Sequence, residues 1–174
     1  MSACQTPESQ PNKTKANQTA KKSSSETLHK QFELDITYYI NSYNAESWEN
    51  VIDMLYPPTY GNKTRDDLIT NYIQTKLAGM QRTTKLHKIE KVGKVVDFKD
   101  KMYCKIYYSG AVKVALSGKM LENKDFVKTN LELSYDTNEV VFDEKENILN
   151  IADAYVAMLA ISQKGSNIWQ YIEV

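Results

Sequence analysis

The apolar residues of this chain change their spacing once, and that change constrains the fold more than any other feature. Before Gly79, Leu28, Phe32, Ile36, Tyr39/Ile40 and Tyr43 recur at steps of three and four, which puts them on one face of a helix. After Arg82 the step becomes two. Val92, Val96 and Phe98 share one face of a predicted strand, and Met102, Cys104, Ile106, Tyr108, Val112, Val114 and Leu116 keep a single parity. The latter run is too long for a flat strand, and Gly110 offers the point for a bulge or bend. Helices followed by antiparallel strands make an α+β domain.

Local signals punctuate the helical half. Asn44-Ala45-Glu46 interrupts the first helix, and Ser47 reads as the N-cap of a second, short one carrying Trp48, Val51, Ile52, Met54 and Leu55. Pro57-Pro58 ends it, because proline lacks the donor a helix needs and restricts the residue before it. Thr64 with Asp67 forms a variant capping box for a third helix through Leu68, Ile69, Tyr72, Ile73 and Leu77, stopping near Gly79. In the second half, Leu131, Leu133 and Tyr135 read as a further strand and Asp143 to Asn147 as a charged turn. Tyr155–Ser162, a turn at Lys164-Gly165 and Ile168–Ile172 read as a closing hairpin.

The 174 residues fit one domain. With 41% apolar and 25% charged residues the chain has the balance of a globular protein, and it is long enough to need no metal or disulfide staple. Its 22 basic and 22 acidic residues cancel; setting aside four Lys and two Glu in residues 1–27 leaves 18 against 20. Without a basic excess nucleic acid is not an expected partner, since phosphate neutralisation dominates that affinity. No apolar run is long enough to span a membrane.

The first residues behave differently from the rest. Residues 1–27 are rich in Ser, Thr, Gln, Asn and Lys and nearly lack apolar side chains, so they read as a disordered tail ahead of a domain at 28–174. Ser2-Ala3-Cys4 resembles the end of a bacterial lipoprotein signal, whose box is cut before a cysteine that is then lipidated. Cys4 is therefore the expected lipidation site, with the tail as tether and the bacterial envelope as location; a cytoplasmic protein with an incidental Cys4 is the alternative. A Cys4–Cys104 disulfide is not expected, because Cys104 lies in an apolar strand pattern. The glycosylation-like triplets at Asn12, Asn17 and Asn62 are read as chance in an Asn- and Thr-rich chain.

Two stretches resemble the nuclear transport factor 2-like superfamily, also called the SnoaL or ketosteroid isomerase-like fold. Tyr39-Ile40-Asn41-Ser42-Tyr43-Asn44-Ala45-Glu46-Ser47-Trp48, continuing to Pro57, is similar to that family's long helix, polar break and short helix before proline. Met158-Leu159-Ala160-Ile161, Gly165 and Ile168-Trp169-Gln170-Tyr171-Ile172-Glu173 are similar to its last hairpin. The resemblance, spanning about residues 28–174, implies a cone: a curved antiparallel sheet wrapped around three N-terminal helices, with a pocket at the open end and dimerisation through the sheet.

Such a cone hosts enzymes and inert binding modules alike. Family isomerases pair a tyrosine with acids facing the pocket. Tyr39 or Tyr43 matches the tyrosine, but Tyr56 to Asn62 contains no acid, nor does Tyr155–Ser162, and the carboxylates at Asp66, Asp67, Asp97, Asp100, Asp125, Asp143, Glu144 and Glu146 fall in turns or at helix starts. His29 and His87 stand apart from each other and from any cysteine pair, so no metal-ligand spacing exists. Neither a Gly-rich phosphate loop nor a nucleophile elbow occurs, and Asp136-x-Asn138 lacks the rest of a calcium loop. No cofactor is expected. The aromatic content, 12 Tyr and 2 Trp, is the remaining clue. Aromatics with polar tips suit a mostly apolar cavity, and Tyr39, Tyr43, Trp48, Tyr56 and Trp169 are the expected pocket residues. Tyr103 and Tyr107, flanking Lys105 on the far face of the long strand, suit a sheet-to-sheet homodimer.

The expected function is a non-catalytic, envelope-tethered domain that binds a small apolar ligand or a protein partner. One alternative is an isomerase- or dehydratase-type enzyme using Tyr39 or Tyr43 with an acid elsewhere. Another is an interaction module whose cavity its own side chains fill.

Overall fold

A computed structural model describes residues 13–174, with side chains from Glu26 onward. Helix α1 (Lys13–Asn44) buries Phe32, Ile36, Tyr39 and Ile40 along the stripe read from the sequence. It begins well before Leu28, so the expected boundary at residue 27 falls inside it. Lys13 to Thr27 contains neither Pro nor Gly, and its Ala, Lys and Gln are good helix formers. Apolar spacing alone does not register such a polar stretch. Cys4 lies outside the described residues.

Glu46, at φ 58°, turns the chain into α2 (Trp48–Met54), which buries Val51 and Ile52. Ser47 occupies the N-cap without a side-chain capping bond. Pro57–Tyr60 forms one 3-10 turn, and α3 (Arg65–Leu77) starts on the expected capping box: Thr64 accepts from the Asp67 amide, and the Asp67 carboxylate accepts from the Thr64 amide. Gly79, at φ 99°, closes the helix; a side chain there would meet the Ser117 carbonyl at 2.2 Å.

The strands are β1 (Met80–Val92), β2 (Val96–Phe98), β3 (Lys101–Leu116), β4 (Val141–Asp143), β5 (Ile148–Gln163) and β6 (Gln170–Glu173), all antiparallel to their partners. The long β3 and β5 lie at the centre, with β1 and β2 beside β3, and β4 and β6 beside β5. Between β2 and the segment that contains Val92 the chain leaves the sheet at Gly93, so Val92, Val96 and Phe98 do not share one strand. The pairing slips between Leu86 and Lys88 and between Ile89 and Lys91 of β1, and between Gly110 and Val112 of β3 against β5. These irregularities flank the middle of β3, where they increase bend and twist. The result is the expected α+β fold with a curved antiparallel sheet.

The largest departure is Leu131, Leu133 and Tyr135. This segment is not a strand. After α4 (Gly118–Glu122), Lys124–Ser134 forms α5, with Tyr135 as its C-cap. The alternation of Leu131, Leu133 and Tyr135 imitates a strand, but Val127, Leu131 and Tyr135 are four residues apart and share the helix face that meets the sheet. Leu133, in contrast, is 76% exposed.

Two apolar clusters hold the two ends of the sheet. One packs α1 and α2 against Ile89, Cys104, Ile106, Met158, Trp169 and Tyr171; the other packs α5 against Val112, Val114, Leu149 and Ile151.

Candidate functional site

A cavity of about 400 Å³ opens between α1 and α5 on the concave side of the sheet. The floor belongs to the inward parity of the strands: Met80 and Thr84 of β1, Tyr108, Val112 and Val114 of β3, and Val156 of β5. Tyr39, Ile40 and Tyr43 of α1 form one wall, and Leu131, Ser134 and Tyr135 form the other.

Two charged side chains line this otherwise largely apolar and phenolic space. Arg82 and Glu173 face each other with Nη2 and Oε1 3.8 Å apart. The Tyr39 hydroxyl donates to Glu173 Oε1 at 3.3 Å, and Arg82 Nη1 donates to the Tyr135 hydroxyl at 3.3 Å. The Arg82 guanidinium also lies over the Tyr43 ring, 4.4 Å from its centre, where the ring's negative face favours a cation. Arg82 Nε is buried and has no hydrogen-bond partner.

Burial governs the protonation of the phenols. It raises the pKa of Tyr39 well above the ordinary value, with the Glu173 charge adding to it, and it raises Tyr108 and Tyr135 as well. Tyr72, packed behind Tyr43, is pushed up to about 12, chiefly by burial. Desolvation opposes the charge on Arg82, but its charged surroundings, Glu173 first among them, raise its pKa above the ordinary value. Near neutral pH these phenols are therefore hydroxyl donors around a fixed cation.

Of the pocket residues expected from sequence, Tyr39 and Tyr43 line the cavity and the other three do not. Trp48 stacks on Tyr72 at 4.8 Å and meets Tyr43 edge-on at 5.2 Å, so it buttresses the wall from behind. Trp169 is 8% exposed and packs edge-on against Phe32 at 5.2 Å, as part of the core between helix and sheet. The Tyr56 hydroxyl accepts from Lys101 Nζ at 2.7 Å beside a separate surface groove that includes Ile168 and Gln170. The Cys104 thiol is buried and donates to the Gly93 carbonyl at 3.4 Å; burial raises its pKa. His87 pairs with Asp153 at 3.5 Å, and His29 is exposed. Among the described residues no three metal-ligating side chains converge, and no helix is long and apolar enough to cross a membrane.

Sequence reasoning missed Arg82 and Glu173, although parity carried a signal for both. Arg82 sits between Met80 and Leu86 on the inward register of β1, and Glu173 is two residues after the buried Tyr171. A charge at an inward position needs a partner, and each supplies the other's. No protein-family model matches this chain, and no curated protein matches it significantly in sequence.

Proposed function

We propose that this chain is a non-catalytic binding domain of the nuclear transport factor 2-like kind that holds a small, mostly apolar ligand in the cavity between α1 and α5. The observation that carries this reading is the open chamber itself. About 400 Å³ falls within the range typical of small-molecule sites, and apolar side chains with a few convergent polar groups are the usual lining. An interaction module with a filled interior would have Leu131 and Tyr135 packed directly on Tyr39 and Tyr43. The family assignment is supported by the order of elements: long helix, polar break, short helix, curved sheet and closing hairpin.

Binding of 1-aminoanthracene, a neutral fluorescent probe of suitable size, tests the reading. The expected result is saturable fluorescence enhancement that Val112→Phe reduces by about tenfold in affinity, because the added ring enters the chamber. Saturation unaltered by that substitution would place the probe elsewhere.

The second reading is an enzyme, and the contact between Tyr39 and Glu173 favours it by supplying a carboxylate beside a buried phenol. Glu173, however, is 43% exposed and sits beside Arg82, unlike the desolvated acid that such chemistry uses. Deuterium exchange into cyclohexanone by the wild type, lost in Glu173→Gln, would establish it.

Attachment to a bacterial envelope through lipidated Cys4 accompanies the first reading and rests on Ser2-Ala3-Cys4. Expressed from its native upstream sequence in its own host, the protein is expected to carry a diacylglyceryl mass on Cys4, and Cys4→Ser to release it from membranes. An unmodified Cys4 would remove the anchor from this reading.

A further inference from the structure

We propose that the cavity selects an uncharged ligand whose polar end is a hydroxyl or carboxamide seated between Arg82 and Glu173, and that it rejects carboxylic acids. The proposal rests on the cavity-binding reading and adds the ligand class to it.

The spacing of the two charges carries the argument. At 3.8 Å, Arg82 Nη2 and Glu173 Oε1 are close enough to neutralise one another but beyond the reach of a direct hydrogen bond. Both groups retain unused capacity. A guanidinium has five N–H donors, and the hydrogen bond seen for this one is the long contact to Tyr135. A carboxylate accepts several hydrogen bonds, and Glu173 takes a 3.3 Å bond from Tyr39. A group that both accepts and donates satisfies the two sides at once, accepting from Arg82 and donating to Glu173. Hydroxyls and carboxamides do this.

A carboxylate does not. Arginine alone is a good carboxylate receptor, since its planar fork matches two oxygens. Here the receptor already has an anion beside it. A ligand carboxylate reaching Arg82 would bring its charge next to Glu173 and would have no proton to give it. Arg82 and Glu173 are the charged side chains that line the chamber, so no second cation offsets that repulsion. Beyond the pair, Ile40, Met80, Val112, Val114, Leu131 and Val156 present an apolar surface to the body of the ligand.

Two probes of the same shape separate the outcomes: 4-phenylbutanamide and 4-phenylbutanoate, titrated near neutral pH and followed by protein NMR shifts. The wild type is expected to bind the amide about tenfold tighter than the acid. Glu173→Gln, nearly identical in shape, frees Arg82 from its counter-ion and is expected to strengthen acid binding about tenfold. A wild type that prefers the acid or treats the two alike overturns the proposed ligand class, as does an acid affinity that Glu173→Gln leaves unchanged. If 1-aminoanthracene binds and neither phenylbutanoyl probe does, the class falls while the cavity reading stands. If none of the three binds, both fall.

Discussion

At the scale of single residues, the buried phenols make stability depend on alkaline pH. Tyr39, Tyr108 and Tyr171 all have pKa values raised in the fold, first of all by burial, and Tyr171 additionally donates to the Asp35 carboxylate. An unfolded tyrosine ionises near pH 10. A folded pKa above that value means the contribution is complete below about pH 10 and is lost as pH rises toward the folded values. Alkaline titration should therefore show part of the phenolate absorbance appearing together with loss of circular dichroism. Complete phenolate formation near pH 10 with the fold intact would contradict the placement of these rings. The same residues show what a sequence can disclose about a site. Tyr39 and Tyr43 were legible because a helical stripe places them on the inner face. Arg82 and Glu173 were not, because charged side chains read as solvated until the partner across the cavity is known, and the two stand far apart in the chain.

At the scale of elements, legibility followed the strength of the local signal. The capping box at Thr64 and the break at Glu46 appear where the sequence put them, and the closing hairpin forms about the expected Lys164-Gly165 turn, with its first strand starting at Ile148 instead of Tyr155 and its second at Gln170 instead of Ile168. The segment around Leu131 went wrong because two periods fit it over so short a stretch, and only the sheet already occupying the strand positions decides between them. The bend in β3 sits where Gly110 was expected to permit it. A Cβ at Gly110 would lie 2.7 Å from the Lys85 carbonyl of the neighbouring strand. Gly110→Ala is accordingly expected to destabilise the protein by roughly 1–3 kcal/mol in urea unfolding, as other forced insertions into tight packing do. A stability equal to wild type would mean that β1 and β3 are less closely apposed than described.

At the scale of the whole molecule, the outer face of the sheet carries more exposed lysines than carboxylates, of which Glu90 pairs with Lys88 at 3.2 Å and Asp153 with His87 at 3.5 Å. Lys85, Lys88 and Lys91 of β1 run beside Lys105 and Lys113 of β3, all exposed, and Tyr107 stacks on Tyr155 among them at 5.7 Å. A homodimer through this face, which the family resemblance implies, would bring the lysines of two copies together, so such an association is expected to strengthen with salt. Light scattering between about 50 mM and 500 mM salt, a range over which screening shortens several-fold, should show a rising mean mass. A mass that falls with salt would point instead to contacts between opposite charges. Neither the lysine-rich face nor the chamber was visible in a composition that nets to zero, because a sum over residues carries no information about sides.

Helix α5 leaves one more mark on the molecule. Its 11 residues and the C-cap Tyr135 meet the rest through Val127, Leu131 and Tyr135, while Phe126 and Leu133 look outward. Leu131, Ser134 and Tyr135 line the chamber from outside the strand ladder, so this wall is set by a helix end rather than by strand register. Exchanges at Leu131, Ser134 and Tyr135 would enlarge, narrow or repolarise the chamber without disturbing strand pairing.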